Sequence, residues 1–310
     1  MRKTVKVGVI LLVLGVIMLI FGIANNGIQS VYWEKGFKVV KTHEKTYQPK
    51  KITDITLSSN EDVVIERGDV ATIKVTTTRK LADVEINNGH VTISSSSPTA
   101  TSDTVGYMFN DGSESNRIVI TIPKRTTVNW IKDTDKQFGD VNVQNVTAKH
   151  VQLLNGNGDV RLSSVNIKNQ AEFSADTLHL TDVTAPTLKA KGSDVTISDS
   201  HFNDGASKVQ SNDGDIKIGE TQFKTAKVHS DDGDIRLNQN HVTSLSATTD
   251  DGDIHLSANK RVGVYAQTDD GDLSIFGYRS DTDQSYHYNK TAKQQYHLTS
   301  GDGDVTATAA

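Results

Sequence analysis

The stretch DGDIKI at residues 213–218 returns as DGDIRL at 232–237, DGDIHL at 251–256 and DGDLSI at 270–275. Gly214, Gly233, Gly252 and Gly271 are therefore each 19 residues apart. GDVNV from Gly139 and GDVRL from Gly158 carry the same spacing toward the N-terminus. Weaker copies, ADTLHL from Ala175 and SDVTI from Ser193, fill the interval between them. A last copy, GDGDVTA from Gly301, places Gly303 in the repeat position, 32 residues after Gly271, so one period carries 13 extra residues. A fixed period of this length marks a repeat architecture before any secondary structure is assigned.

The pattern inside the period names the element. The second and fourth positions after each glycine are apolar: Ile216 and Ile218, Ile235 and Leu237, Ile254 and Leu256, Leu273 and Ile275. Such alternation is a strand with one buried face. Five residues before the glycine stand Leu153, Val209, Val228, Ala247, Ala266 and Leu298, and most copies repeat the apolar choice two residues earlier. Each period thus holds a second strand. The Asp-Asp-Gly between the two is turn chemistry, with glycine expected at positive φ. Two strands and no helical stripe per 19 residues predict an all-β fold: a parallel β-solenoid (β-helix-like) of ~19-residue coils stacked about 4.8 Å apart. A β-sandwich also uses short strands, but it gives no reason for a fixed register of one hexapeptide.

Outward from the repeat, the runs 51–58, 61–66, 71–77, 82–86, 90–94 and 117–123 alternate polar residues with Val or Ile. They read as degenerate β coils and a cap over 41–138, ahead of the regular DGD-repeat solenoid at 139–310; an exposed end needs a cap over its unpaired strand edges. The polar stretch 95–116 reads as a long mobile loop. At the N-terminus, residues 7–24 form an unbroken run of 18 apolar or glycine residues preceded by Arg2, Lys3 and Lys6. That length is near the lower limit for a spanning helix, about 17–25 residues. The basic flank keeps the N-terminus cytoplasmic. Residues 1–24 are thus expected to be a cytoplasmic tip and transmembrane anchor and 25–40 a linker. The remainder is expected outside, giving a single-pass protein of the cell membrane. A cleaved signal peptide is the alternative, with Gly22 and Ala24 as small residues for cleavage, although the run exceeds the usual apolar core of about 7–15 residues.

Composition narrows the function. The chain has 310 residues, a net charge of -5 and no cysteine. Disulfide scaffolds, zinc knuckles and thiol nucleophiles are excluded. The mild acidity argues against nucleic acid as a partner. No GxSxG, HExxH, Walker loop or dinucleotide fingerprint is present, and the Gly-rich turns lie between strands rather than before helices. From 204 to 275 there are 13 acids and 7 Lys or Arg, a local net of -6, so the other 238 residues net +1. In a stack, Asp213, Asp232, Asp251 and Asp270 form one row and Asp215, Asp234, Asp253 and Asp272 another, with neighbours about 5 Å apart where like charges repel. Besides shared protons or a basic partner, two arrangements relieve this. Backbone N–H groups bond the carboxylates in solvated turns, or calcium sits between turns, as in Ca²⁺-binding nonapeptide coils whose GGxGxDxUx this hexapeptide does not match. The second makes all eight aspartates candidate metal ligands. The insertion 277–293 supplies a separate set of binding candidates, Tyr278, Tyr286, His287 and Tyr288, since amphipathic rings on a projecting insertion suit sugars or peptides. The same rings also serve to cover the core of the last coil.

The order of these features is an N-terminal anchor, Val/Ile strands, IVITIP at 118–123, FGDVNV from Phe138 and then the ladder of DGDI repeats. Over roughly residues 40–308 it resembles the bacterial "putative adhesin" family of domain-of-unknown-function β-strand repeat proteins, and is especially similar to LiaG-type membrane-anchored envelope members. The resemblance implies a β-solenoid in the cell envelope and supplies no catalytic residues. The expected function is a non-catalytic, extracytoplasmic binding or interaction module, partnered by the membrane and by a cell-wall polymer or surface protein. A passive scaffold or spacer, and a solenoid carbohydrate-active enzyme, are the alternatives.

Overall fold

The computed structural model describes residues 3–24, 31–33, 37–39, 42–77, 81–95, 106–107, 116–134, 139–154, 158–282 and 284–310. They fall into two compact units: Met1–Glu44 with Thr76–Leu81 and Pro98–Asn116, and Lys45–Val75 with Ala82–Ser97 and Arg117–Ala310.

The second unit is a parallel β-solenoid. One coil shows why. The strand Gln222–Ser230 passes through the turn 231–234 into the strand Ile235–Asn238. Alternation puts Ile235 and Leu237 inside, at 0% and 1% exposure, while Arg236 faces out. Ile235 pairs in parallel with Ile216 on one side and Ile254 on the other, a shift of one sequence period each way. The long strands keep the same shift, with Val228 beside Val209 and Ala247. Equivalent apolar residues therefore stand over one another through the stack, each such burial contributing about 1.5–3 kcal/mol. Phe202 and Phe223 stack at 5.3 Å between ring centres. The weak copies occupy full layers: Leu178 pairs with Val195, and Val195 with Ile216.

The turn glycines are not there for positive φ. Among described glycines only Gly89 and Gly277 have it. A Cβ on Gly233 would stand 2.0 Å from the carbonyl oxygen of Gly214, and one on Gly252 would stand 2.3 Å from that of Gly233. The backbone of each turn lies directly on the turn below, so the position excludes a side chain. The left-handed corner falls elsewhere, at the end of a strand at Asn145, Asp199, Glu220, Gln239 and Phe276 and within the long strand Val160–Ala185 at Ser164 and Asp182, with φ between 49° and 55°. The residue type varies there because the side chain points away from the stack, and each non-glycine residue costs about 1–2 kcal/mol.

The coils are not stacked in chain order at the ends. Gln295–Ser300 lies between His241–Thr249 and Gly263–Thr268. Val305–Ala309 likewise lies between Ile254–Ala258 and Leu273–Ile275. The last coil of the sequence is thus the penultimate layer. The extra residues of that period make the detour possible. Tyr278–Ser280 and Ser285–Tyr288 run antiparallel along the outer edge of coil 263–275, and the chain then returns beneath it. Asp251 and Asp270 are consequently not neighbours, as the constant period implied; the turn of Asp302 and Asp304 separates them. The N-terminal end repeats the device. Asp54–Ser58 is held between His90–Ser94 and Thr127–Asp133, and Asp62–Gly68 between Arg117–Pro123 and Val141–Gln144.

The first unit contains the helix Lys3–Ala24, whose apolar window Val5–Gly22 is wholly unburied. It is not the core helix of a globular domain; its length and composition are those of a membrane anchor or a signal sequence. Val31–Trp33 pairs antiparallel with Phe37–Val39 and with Gly106–Tyr107. Most of the expected loop 95–116 and of the linker 25–40 lies outside the described residues.

Candidate functional site

The DGD turns form one continuous edge. Its foundation is a buried hydroxyl three residues before each glycine: Ser211, Ser230, Thr249, Thr268 and Ser300, each at most 1% exposed. Ser230 Oγ accepts the Gly233 N–H at 3.0 Å and donates to the Gly214 carbonyl of the next coil at 3.1 Å. Thr249, Ser300 and Thr268 repeat this. Each hydroxyl both closes its own turn and fastens it to the adjacent one, giving the glycine N–H of the turn a partner. The signal was legible as [ST]-x-D-G-D, or S-G-D-G-D in the last copy, but the apolar pattern gave no reason to look for it.

The second aspartate of each turn is bonded in the same direction. Asp215 Oδ1 accepts the Asp234 N–H at 3.2 Å, Asp234 Oδ1 that of Asp253 at 2.9 Å, Asp253 Oδ1 that of Asp304 at 2.8 Å, and Asp304 Oδ1 that of Asp272 at 2.8 Å. Cations complete the lower part of the row. Arg236 bonds Asp215 at 2.8 Å and Asp234 at 2.6 Å, and Lys217 reaches Asp215 at 3.1 Å. Burial pushes the Asp215 carboxyl up, but Lys217, the Asp234 amide and Arg236 together hold it below the usual carboxylate range. The first aspartates, Asp213, Asp232, Asp251 and Asp270, are exposed. Among the described residues, Asp234, Asp253 and His255 form a group whose potential ligand atoms lie within 4.8 Å of one another. Above it the edge opens into a groove of about 330 Å³ lined by Asp272, Ser274, Arg279, Asp281 and Asp304.

If the second-row carboxylates serve as turn braces, millimolar Ca²⁺ is expected to leave the melting temperature unchanged beyond ionic screening. If they hold calcium, about 100-fold excess over the dissociation constant adds about 2.7 kcal/mol per site. A calcium-specific rise in thermal unfolding, lost in Asp234→Asn with Asp253→Asn, is the result that contradicts the brace.

The aromatic insertion divides between two faces. Tyr278 lies opposite Ile275, Tyr286 opposite Ala266 and Tyr288 opposite Val264. Directly opposed residues share a face, so these three tyrosines are on the core side of the outermost coil, half-buried. Tyr278 and Tyr286 stack with centres 3.7 Å apart and planes within 5°. Tyr288 packs against Phe276 at 4.9 Å, and its hydroxyl donates to the Lys260 carbonyl at 3.2 Å. His287 is on the other face, edge-on to Tyr265 at 5.6 Å. Tyr296, just past the insertion, is a core residue at 0% exposure. Its hydroxyl donates to the Asn240 carbonyl at 2.7 Å, and burial pushes its pKa up to about 12.

Fold and edge define a class, a parallel β-solenoid of glycine-aspartate turns preceded by one apolar helix. Residues 52–308 match the family described as Toastrack DUF4097, and the chain belongs to that family. This agrees with the resemblance read from IVITIP and the GD repeats. No curated protein gives a significant match. Similar solved structures include a putative adhesin from Bacteroides fragilis NCTC 9343, at 13% identity over 86% of this chain and 97% of that one, TM-score 0.41. A putative adhesin from Parabacteroides merdae ATCC 43184 has 11% identity over 86% and 96%, TM-score 0.43. A putative lipid binding protein from Parabacteroides distasonis ATCC 8503 has 12% identity over 86% and 97%, TM-score 0.40.

Proposed function

We propose that the chain is a membrane-anchored, extracytoplasmic binding module of the bacterial cell envelope, and that it is non-catalytic. The observation that carries this reading is the unburied apolar helix Lys3–Ala24, which precedes the solenoid in sequence. Arg2, Lys3 and Lys6 precede or open its apolar run, with no acid among them, the charge bias of a cytoplasmic N-terminus. The turn carboxylates support the non-catalytic part. A catalytic pair needs two carboxyl groups in different environments, whereas these recur by coil and carry the same backbone bond each time. Protease added to intact protoplasts is expected to digest the solenoid while an N-terminal tag stays protected. Protection of the solenoid with digestion of the tag would reverse the orientation, and release of a shortened solenoid into the medium would make the helix a signal sequence.

A further inference from the structure

The outward face of the long strands carries a row of charges opposite in sign to the turn edge. Lys189 pairs in register with Lys208, and Lys208 with Lys227. Three ammonium groups therefore rise from consecutive coils whose backbones are about 4.8 Å apart. Lys191 stands two residues along from Lys189 on the same face, and all four lysines are exposed. Lys189, Lys208 and Lys227 are also one sequence period apart, so the row is written into the repeat.

Packing does not ask for these lysines. The same column continues as Ser246, His297 and Tyr265, and like charges directly opposed across strands are destabilising. The aspartate row shows how this fold relieves such crowding, with a backbone N–H for each second-row carboxylate and Arg236 and Lys217 as counterions. The lysine row has a counterion at one end only, where Glu172 stands in register beside Lys189. Glu172 approaches Lys189 at 3.8 Å, but its other oxygen accepts from Gln152 and Gln170. Lys191, Lys208 and Lys227 carry no ion pair among the described residues. Uncompensated cations thus stand at fixed intervals on a rigid face of a chain whose net charge is -5.

We propose that this row binds a linear, phosphate-rich polyanion lying along the stack axis and meeting one lysine per coil. A regular row of point charges matches a regular row of phosphates, and several weak contacts on one rigid partner add as multivalent binding. No aromatic ring interleaves Lys189, Lys208 and Lys227, so these three layers lack the stacking platform that single-stranded nucleic acid uses. The inference deepens the proposed binding role and rests on it only for where the polymer is met.

The test uses the full chain in phosphatidylcholine vesicles, with fluorescent long-chain inorganic polyphosphate as the probe and salt titrated. Saturable binding that weakens with salt is expected. Lys208→Gln with Lys227→Gln should lower affinity about tenfold and reduce the salt slope by about 1–2, since each phosphate contact on a single strand contributes about 0.7. Lys290→Gln with Lys293→Gln makes the same charge change at exposed positions outside the row and should leave affinity within about twofold. Absence of binding at low salt overturns the proposal, as does an equal loss in both double variants. Displacement of polyphosphate by phosphatidylglycerol in the same vesicles would assign the row to a lipid surface and overturn it too. None of these outcomes bears on the protoplast experiment, so the two readings fail separately.

Discussion

Gly233→Ala is expected to cost about 3–5 kcal/mol, placing it among the severe single substitutions. The added methyl would sit 2.0 Å from the Gly214 carbonyl oxygen and 2.3 Å from its carbon. Both are backbone atoms of the adjacent turn, so no side chain can swing aside. Making room means lifting one coil off the other, which also breaks the Ser230 bond to the Gly214 carbonyl and the Asp234 amide bond to Asp215. Gly219→Ala is the matched control. It ends the strand Ile216–Gly219, opposite Asn238, its φ is not positive, and the nearest atom to its added methyl is the Asn238 oxygen at 4.0 Å. It should fall within about 0.5 kcal/mol of the parent. Chemical denaturation of both variants decides the matter, and comparable losses would mean that the turns are not in backbone contact.

Leu298→Asp tests the order of the layers. Leu298 is 0% exposed and lies in register between Ala247 and Ala266. A carboxylate there is unpaired in a dry stack and should cost several kcal/mol, about 4 or more. The location of the damage is the informative part. Because residues 295–309 form an inner layer, amide exchange should accelerate about a thousandfold, about 4 kcal/mol, in Gly263–Thr268 and Leu273–Ile275 as well as in the mutated coil. Gln222–Ser230, farther down the stack, should keep its protection. If the coils were stacked in chain order, Ala266 would rest on Ala247 and only the final coil would loosen. Loss of protection confined to 295–309 is thus the result that contradicts the interleaved arrangement.

The solenoid was legible because its repeat satisfies two periods at once. Apolar residues at every second position fixed which side chains face in, and the 19-residue return fixed which coil lies beside which, as Ile216, Ile235 and Ile254 show. The same constancy hid the layer order. Gly252 and Gly271 are one period apart, so nothing local distinguishes direct stacking from a stack with Gly303 between them. The only trace was the length of the insertion, which provides for a covering hairpin and a return. The glycines were assigned to positive φ because turn chemistry usually explains glycine beside aspartate; a contact between residues 19 positions apart is invisible to that reasoning. Within the candidate sites, backbone N–H bonding to carboxylates follows from turn chemistry, whereas the apolar pattern points to neither the hydroxyl row nor the lysine row. Both recur with the period at Ser211, Ser230 and Thr249, and at Lys189, Lys208 and Lys227. They were readable from alignment of the coils, not from the residues singly.

The interleaved ends also govern when the protein can finish folding. In an ordinary solenoid each coil settles on the one made before it, and the structure grows as the chain emerges. Here coil 263–275 has no resting place until residues 295–309 exist, and those residues must enter a slot bounded above and below. The backbone bond from Asp302 to Asp250 joins residues far apart in sequence, and such closures are slow because loop entropy is lost before contacts form. The two outermost layers, 263–275 and 295–309, are therefore expected to close together and late, after the C-terminal segment has formed. Once closed, the C-terminal strands Gln295–Ser300 and Val305–Ala309 are each paired on both sides, and resistance to unravelling from that end comes from the path of the chain as much as from the contacts it makes.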